Sequence, residues 1–255
     1  NMPINRVLES LTDLFGFSFS RARTQSFKKD AAAYYHATYQ ALVRKIRQSD
    51  VVHADETEVR IGREKHYVWV FTNTKEVVFV YAESRGGSVL KESLGDFRGV
   101  LVSDFYAAYD AMDCPQQKCL IHLMRDMNDD LLANPFDEEF KGLAQAFSRL
   151  LRATVETIDA HGLRTWYLRR HKAAVDKFYD DVFGRIYQSE AASKLQKRLE
   201  KNRDKLFTFL NFDGVSWHNN NAEHAIKHFA VYRRTQYGLS TAESIRQYLV
   251  LLSIF

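Results

Sequence analysis

Hydrophobic positions recur at helical spacing in the first fifty residues. The first apolar stripe consists of Val7, Leu8, Leu11, Leu14 and Phe15. Gly16 interrupts this stripe, and Ser18 or Ser20 is a suitable N-cap for a second helix that is predicted to run to Ile46. The pattern therefore predicts an N-terminal helical segment over residues 1–49.

The period changes to that of β-strands between residues 51 and 123. Runs rich in valine and aromatic residues predict five strands, at residues 51–54, 67–72, 77–82, 100–103 and 118–123. The first three strands follow one another through hairpin-like connections, and a predicted helix over residues 88–94 leads to the fourth. This order predicts an α/β fold in which a mixed sheet is flanked by helices.

Strand signals end near residue 126, and apolar residues then recur every three or four positions up to residue 210. Gly162 and Gly184 are predicted turns between helices. A loop over residues 212–216 is expected to precede a helix from 219–221 to Tyr232. A last helix is predicted to begin near Ser240, capped by serine or threonine, with Glu243 at the third position after the cap.

The composition is that of an ordinary globular protein. The chain has 255 residues, of which 45% are hydrophobic and 27% charged. Two cysteines, Cys114 and Cys119, argue against a disulfide-stabilised secreted protein, and no apolar run approaches the ~20 residues that span a bilayer. We therefore expect a cytoplasmic protein that has no membrane partner.

Charge is unevenly distributed along the chain. Residues 51–135 hold nine Lys and Arg against fourteen Asp and Glu, although the whole chain has a net charge of +4. An acidic centre between basic flanks suits a metal site beside surfaces that bind a polyanion. Random scatter of charges over a solvated surface explains the pattern equally well, so charge alone does not decide the function.

Two predicted strands end in an aspartate, Asp55 after residues 51–54 and Asp104 after residues 100–103. Carboxylates next to buried strands need partners because their burial is costly. If the two strands are neighbours, repulsion between the carboxylates favours a bridging divalent cation, and hard oxygen ligands select magnesium or manganese. Each aspartate alone is more simply explained as a strand-end cap, so it is the matched pair that indicates a metal site.

Four short blocks, taken in order, resemble the DDE transposases of the insertion-sequence sixty-six type. They read HADET at 53–57, LVSDFY at 101–106, CLIHLMR at 119–125 and NNAE at 220–223. The resemblance runs from about Val51 to the C-terminus. It implies a ribonuclease-H-like catalytic core over residues 50–135 and 211–255, with an all-helical insertion over residues 136–210.

By position, the resemblance makes Asp55, Asp104 and Glu223 the catalytic acids and the ligands of two magnesium or manganese ions. By spacing alone, Glu223 is explained as a helix-start residue, in a capping box with Asn220. The resemblance implies cleavage and strand transfer of DNA at transposon ends, by a homodimer. Two alternatives stay open, a ribonuclease-H-like DNA nuclease without strand transfer and a non-catalytic DNA-binding remnant. Asp126 is the nearest rival of Glu223 as the third ligand.

Cys119 and His122 stand at Cys-x-x-His spacing, which resembles a motif that many transposases with this core carry after the second aspartate. A zinc site needs four ligands, and only Cys114 and His218 are available as completions. We therefore favour structural roles, in which Cys119 packs in the core and His122 forms hydrogen bonds near the active site. Zinc is not expected.

Several basic segments are candidates for contacts with DNA phosphates. Residues 161–172 interleave cations with aromatic rings, but an amphipathic helix that buries Leu163 and Trp166 explains this run as well. Residues 18–29 of the N-terminal segment are a candidate recognition helix. The candidate DNA-binding residues are Arg63, Lys65, Arg164, Arg169, Arg170, Lys172, Lys227, Arg233 and Arg234.

Overall fold

The structure is a computed structural model that describes residues 4–236 and 241–255. The helices are α1 (Ile4–Phe15), α2 (Arg21–Tyr34), α3 (His36–Arg47), α4 (Gly87–Leu94), α5 (Leu120–Ala133), α6 (Glu138–His161), α7 (Thr165–Leu168), α8 (Lys172–Phe183), α9 (Glu190–Lys201), α10 (Arg203–Leu206), α11 (Asn220–Gln236) and α12 (Ala242–Ile254). The strands are β1 (Val51–Ile61), β2 (Glu64–Thr72), β3 (Val77–Ala82), β4 (Val100–Ser103) and β5 (Gln116–Lys118). Among the described residues, no helix is both long and apolar enough to cross a membrane.

The five strands form one mixed sheet in the order β3-β2-β1-β4-β5. β2 and β3 are antiparallel, whereas β1 pairs with β4 and β4 pairs with β5 in parallel. The predicted α/β class, a mixed sheet flanked by helices, is therefore confirmed. The chain divides into two compact units, one of residues 1–49, 54–97 and 221–255, the other of residues 50–53 and 98–220.

In the first unit, α11 and α12 cover the strands. The core of this unit contains the buried residues Val59, Val68, Val70, Phe79, Ala222, Ala225, Ile226, Phe229, Tyr232, Ile245 and Leu249. The outer edge of β3 is closed by side chains. Phe79 N–H donates to Ser253 Oγ at 3.0 Å, and Tyr39 Oη donates to the Phe79 carbonyl at 2.9 Å. Because unpaired strand edges invite pairing with other chains, these bonds protect the edge of the sheet.

In the second unit, the long helix α6 packs against α8 and α9 around buried phenylalanines that include Phe140, Phe147 and Phe178. The edge strand β5 is held by the chain that follows α9. Gln117 Nε2 donates to the Leu206 carbonyl at 2.9 Å, and Gln117 Oε1 accepts the N–H of Phe209 at 3.1 Å. The predicted helical character of residues 136–210 is confirmed, and Gly162 and Gly184 follow α6 and α8 as predicted.

The second predicted helix and the fifth predicted strand differ most from the structure. The helix predicted up to Ile46 is two helices, α2 and α3, because Tyr35 between them leaves the helical region at ψ 2°. A break of one residue hardly changes the apolar period, so the pattern did not reveal it. The fifth predicted strand, at 118–123, is wrong. The strand is Gln116–Lys118, and α5 begins at Leu120, because Leu120, Leu123 and Met127 form the buried stripe of a helix.

The predicted caps are partly confirmed. Ser20 caps α2 by accepting the N–H of Arg23. The last helix, α12, begins after Thr241, whose side chain accepts the N–H of Ser244 at 3.1 Å. Glu243 is therefore not the third residue after the cap. Ser240 lies outside the described residues.

Candidate active site

Asp55 lies within β1 rather than at its end, so its predicted position was wrong. β1 continues to Ile61 and turns at Gly62, where φ is +60°, and this hairpin keeps the polar residues after the apolar run in the strand. Asp55 is half-buried, and its Oδ1 accepts the N–H of Glu56 at 2.9 Å. This bond helps to orient the carboxylate.

Asp104 directly follows β4, as predicted. Its side chain is half-buried, and Oδ1 accepts the N–H of Tyr106 at 2.8 Å. Ser103 Oγ donates to the Asp104 carbonyl at 3.0 Å. The aspartate therefore forms the turn that ends the strand, and its carboxylate is oriented by that turn.

A buried cation next to Asp104 was not predicted. Lys118, the last residue of β5, pairs with Ser103 in the sheet, and its Nζ lies 3.3 Å from Ser103 Oγ and 3.4 Å from Asp110 Oδ1. Burial lowers the pKa of Lys118, and the Asp110 carboxylate opposes that shift. Partial burial raises the pKa of Asp110, but its bond with Lys205 at 2.7 Å and the charge of Lys118 outweigh this, so the pKa lies below its usual value. The sequence showed only a lysine at the start of the predicted strand 118–123, which gave no sign of its burial.

Glu223 lies in the first turn of α11 and is half-buried. Ala222 and Ile226 of the same helix belong to the core of the first unit. At the other end of α11, the Arg233 guanidinium donates to Thr57 Oγ1 at 2.9 Å and to the Glu58 carbonyl. The helix that carries Glu223 is thus fixed to the strand that carries Asp55 by apolar packing and by Arg233.

A buried polar network surrounds the residues before α11. Asn219 and His53 are each 1% exposed, and Cys119 is fully buried. His53 Nδ1 lies 3.2 Å from Asn219 Oδ1, and the Asn219 N–H donates to Cys119 Sγ at 3.3 Å. Burial lowers the pKa of His53 to about 4, against the opposing effect of the bond with Asn219, so the imidazole is neutral at neutral pH. The sequence pattern predicted no role for His53 or Asn219.

Cys119 and His122 lie together, with ligand atoms within 4.8 Å of each other. Cys114 precedes β5 whereas Cys119 follows it, so the two cysteines flank the strand at opposite ends. Burial raises the pKa of the Cys114 thiol to about 11, which keeps it protonated. Because the two cysteines lie at opposite ends of the strand, Cys114 does not suit a zinc site shared with Cys119. Asp126, the rival third ligand, pairs with Arg198 at 2.7 Å.

The candidate DNA-binding residues are distributed over both units. Most of them are exposed: Arg63, Lys65, Arg164, Arg169, Arg170, Lys172, Lys227 and Arg234. Lys65 pairs with Glu58 at 3.1 Å, and Arg233 is half-buried and bonded to β1. The amphipathic-helix alternative for residues 161–172 is wrong about Trp166, which is 80% exposed, because α7 has only four residues and buries Leu168 instead.

Comparison with known proteins agrees with the blocks recognised in the sequence. The family model described as Transposase IS66 family matches residues 1–247, which includes the N-terminal helices. No curated protein matches the chain. The chain belongs to the transposase IS66 family.

Proposed function

We propose that the protein cleaves DNA at transposon ends and joins the freed strand to target DNA, with Asp55, Asp104 and Glu223 as ligands of two divalent cations. Membership of the family by itself implies a transposition-related function on DNA, and DDE transposases generally use a divalent metal. The proposal includes a ribonuclease-H-like core in which residues 136–210 are an insertion. The mixed sheet supports the core, and the succession of helices from α6 to α10 supports the insertion. It also includes a homodimer on DNA.

The register of β1 and β4 carries the proposal. In this parallel pair, Val51 is opposite Val100 and His53 is opposite Val102, an offset of 49 positions. Asp55 and Asp104 have the same offset. Residues opposite each other on parallel neighbours lie about 4.8 Å apart and point to the same face of the sheet. We therefore propose that the two carboxylates face each other closely enough to share a cation.

The residues fit a hard divalent cation. Magnesium and manganese prefer carboxylate oxygens, and three carboxylates supply them. Asp55 and Asp104 each accept a backbone N–H through Oδ1, which holds the carboxylates in place before an ion binds. Glu223 is on a helix whose far end Arg233 anchors to β1. The soft thiol of Cys119 suits these ions poorly.

The proposed chemistry is in-line attack on a phosphodiester. Magnesium, when bound, supplies Lewis-acid stabilisation of the charge that develops on the reacting oxygens. The three acids of the chain hold and orient it, and the exposed arginines and lysines bind the DNA backbone so that water in cleavage, or a 3′-hydroxyl in joining, meets the phosphorus in line. No covalent bond between protein and DNA is required.

The test is an assay on transposon-end DNA with magnesium. Asp55→Asn, Asp104→Asn and Glu223→Gln should each abolish cleavage and joining, and Asp55→Asn should bind DNA at least as tightly as the wild type, because a negative charge beside the phosphate is lost. Asp129→Asn and Glu190→Gln are matched controls, since Asp129 is exposed on α5 and Glu190 is exposed in the first turn of α9. Full activity of any of the three variants would contradict the proposal. Hydrolysis without joining by the wild type would favour the nuclease.

A further inference from the structure

We infer that His53, Asn219 and Cys119 form a buried clasp that positions the start of α11, and with it Glu223, for metal binding. The inference rests on the proposed function, because it gives these residues a role only if Glu223 is a ligand. None of the three is proposed to touch the ion or DNA. They are positioning residues that act through the segment 217–219, His53 on the Asn219 side chain and Cys119 on the Asn219 backbone N–H.

The clasp joins three segments of the second unit that are far apart in sequence. The amide oxygen of Asn219 can only accept, so the bond with His53 places the imidazole proton on Nδ1. Asn219 in turn donates its backbone N–H to Cys119 Sγ. Two positions before Asn219, the Trp217 carbonyl accepts the N–H of Leu120, the first residue of α5, at 2.9 Å. Residues 217–219 are therefore tied both to β1 and to the beginning of α5.

Because these polar groups are buried, each of them needs a hydrogen-bond partner within the protein. A polar group removed from water costs free energy unless it is hydrogen-bonded. Each bond is also directional, so the set tolerates few orientations of the Asn219 backbone. If these positions served only stability, apolar side chains at 53 and 219 would suffice. The hydrogen-bonded side chains also restrict residues 217–219 to one arrangement.

The position of the clasp connects it to Glu223. α11 begins at Asn220, directly after Asn219, and Glu223 is in its first turn. Glu223 is four positions after Asn219, which at a rise of about 1.5 Å per residue is about 6 Å along the helix, so a shift of the loop moves the carboxylate with it. Arg233 anchors the far end of the helix, and the clasp therefore fixes the near end. A misplacement of about 1 Å can cost on the order of 100-fold in rate.

The experiment uses paired substitutions in the full chain. His53→Leu removes the donor to Asn219, whereas His53→Gln keeps an N–H donor. Cys119→Val removes the acceptor at similar volume, whereas Cys119→Ser keeps an acceptor. Manganese binding is measured by electron paramagnetic resonance, well below the melting temperature of each variant, together with DNA affinity. Glu223→Gln is measured alongside as the reference for loss of the ligand.

We expect His53→Leu and Cys119→Val to weaken manganese binding by about 10- to 100-fold, as losses of residues that orient metal ligands typically do, with DNA affinity unchanged. His53→Gln and Cys119→Ser should restore most of the binding. Wild-type manganese affinity in folded His53→Leu and Cys119→Val would overturn the clasp while leaving the proposed function intact. If Glu223→Gln itself binds manganese normally, the proposed function has failed.

Hydrogen exchange keeps the test decisive if either disruptive variant does not fold. In the wild-type protein, the amides of Asn219 and Leu120 should exchange as slowly as those of the buried strand β4. Exchange as fast as that of the exposed hairpin turn at Gly62 and Arg63 would overturn the inference, because a clasp that opens freely does not fix a helix.

Discussion

Removing the Asp110 carboxylate should destabilise the protein, because it leaves the buried cation of Lys118 without its counter-charge. The Lys118 side chain is 1% exposed and lies 3.4 Å from Asp110. Its other close contacts are the Ser103 hydroxyl at 3.3 Å and the Tyr109 ring, whose centroid is 5.5 Å away. The charges of Lys205 and Asp104 act on it in opposite directions, since Lys205 lowers the pKa of Lys118 and Asp104 raises it. Removing one partner of a buried ion pair costs about 3–5 kcal/mol. Because the Asp110 side chain is 33% exposed, water partly screens the cation, and we expect about 2–3 kcal/mol for Asp110→Asn.

Urea unfolding followed by circular dichroism measures this loss. Lys118→Met should cost less, since Asp110 keeps its bond with Lys205 at 2.7 Å. The double variant should recover most of the loss of Asp110→Asn, because no charge is then stranded. Asp113→Asn, at an exposed neighbouring position, is the control and should change the free energy of unfolding by less than about 0.5 kcal/mol. The reasoning is refuted if Asp110→Asn matches this control, or if the double variant is no more stable than Asp110→Asn.

Three further predictions concern DNA and the thiols. Trp166→Ala should weaken binding of single-stranded DNA by about 1–3 kcal/mol without lowering the melting temperature, because the exposed ring is free to stack on a base; an unchanged Kd in fluorescence anisotropy would contradict this. DNA affinity should fall steeply with salt, and Arg169→Gln should reduce the slope of log K against log salt by about one. A wild-type affinity that does not change with salt would show that the basic residues do not contact DNA phosphates. Because burial raises the pKa of Cys114 to about 11 and Cys119 is fully buried, iodoacetamide should label the native protein far more slowly than the urea-unfolded one; prompt labelling of a native thiol would refute the buried environments.

The sheet was predictable wherever apolar side chains make the pattern. β3 and β4 have the predicted bounds because their residues are almost all apolar. β5 was misplaced because Gln116 and Gln117 are polar yet buried. Gln117 satisfies its amide with Leu206 and Phe209, about ninety positions away, and a local pattern carries no information about such partners.

The candidate site was predictable in its chemistry but not in its supports. Asp55 and Asp104 stand out because each carboxylate follows an apolar run, whereas Glu223 was identified only from its place in the four blocks. The supports are pairs that are distant in sequence, such as His53 with Asn219, 166 positions apart. A histidine between Val52 and Ala54 was a visible signal that the strand is buried around a polar group. Its partner could be identified only in the folded chain.

The central claim is that Asp55, Asp104 and Glu223 together hold divalent cations. Anomalous diffraction from a crystal of the protein soaked in manganese tests it directly. We expect anomalous peaks with carboxylate oxygens of all three residues at about 2.1 Å, a typical distance for a small hard cation. Peaks that involve neither Asp55 nor Asp104, or a Glu223 carboxylate that stays away from every ion, would contradict it.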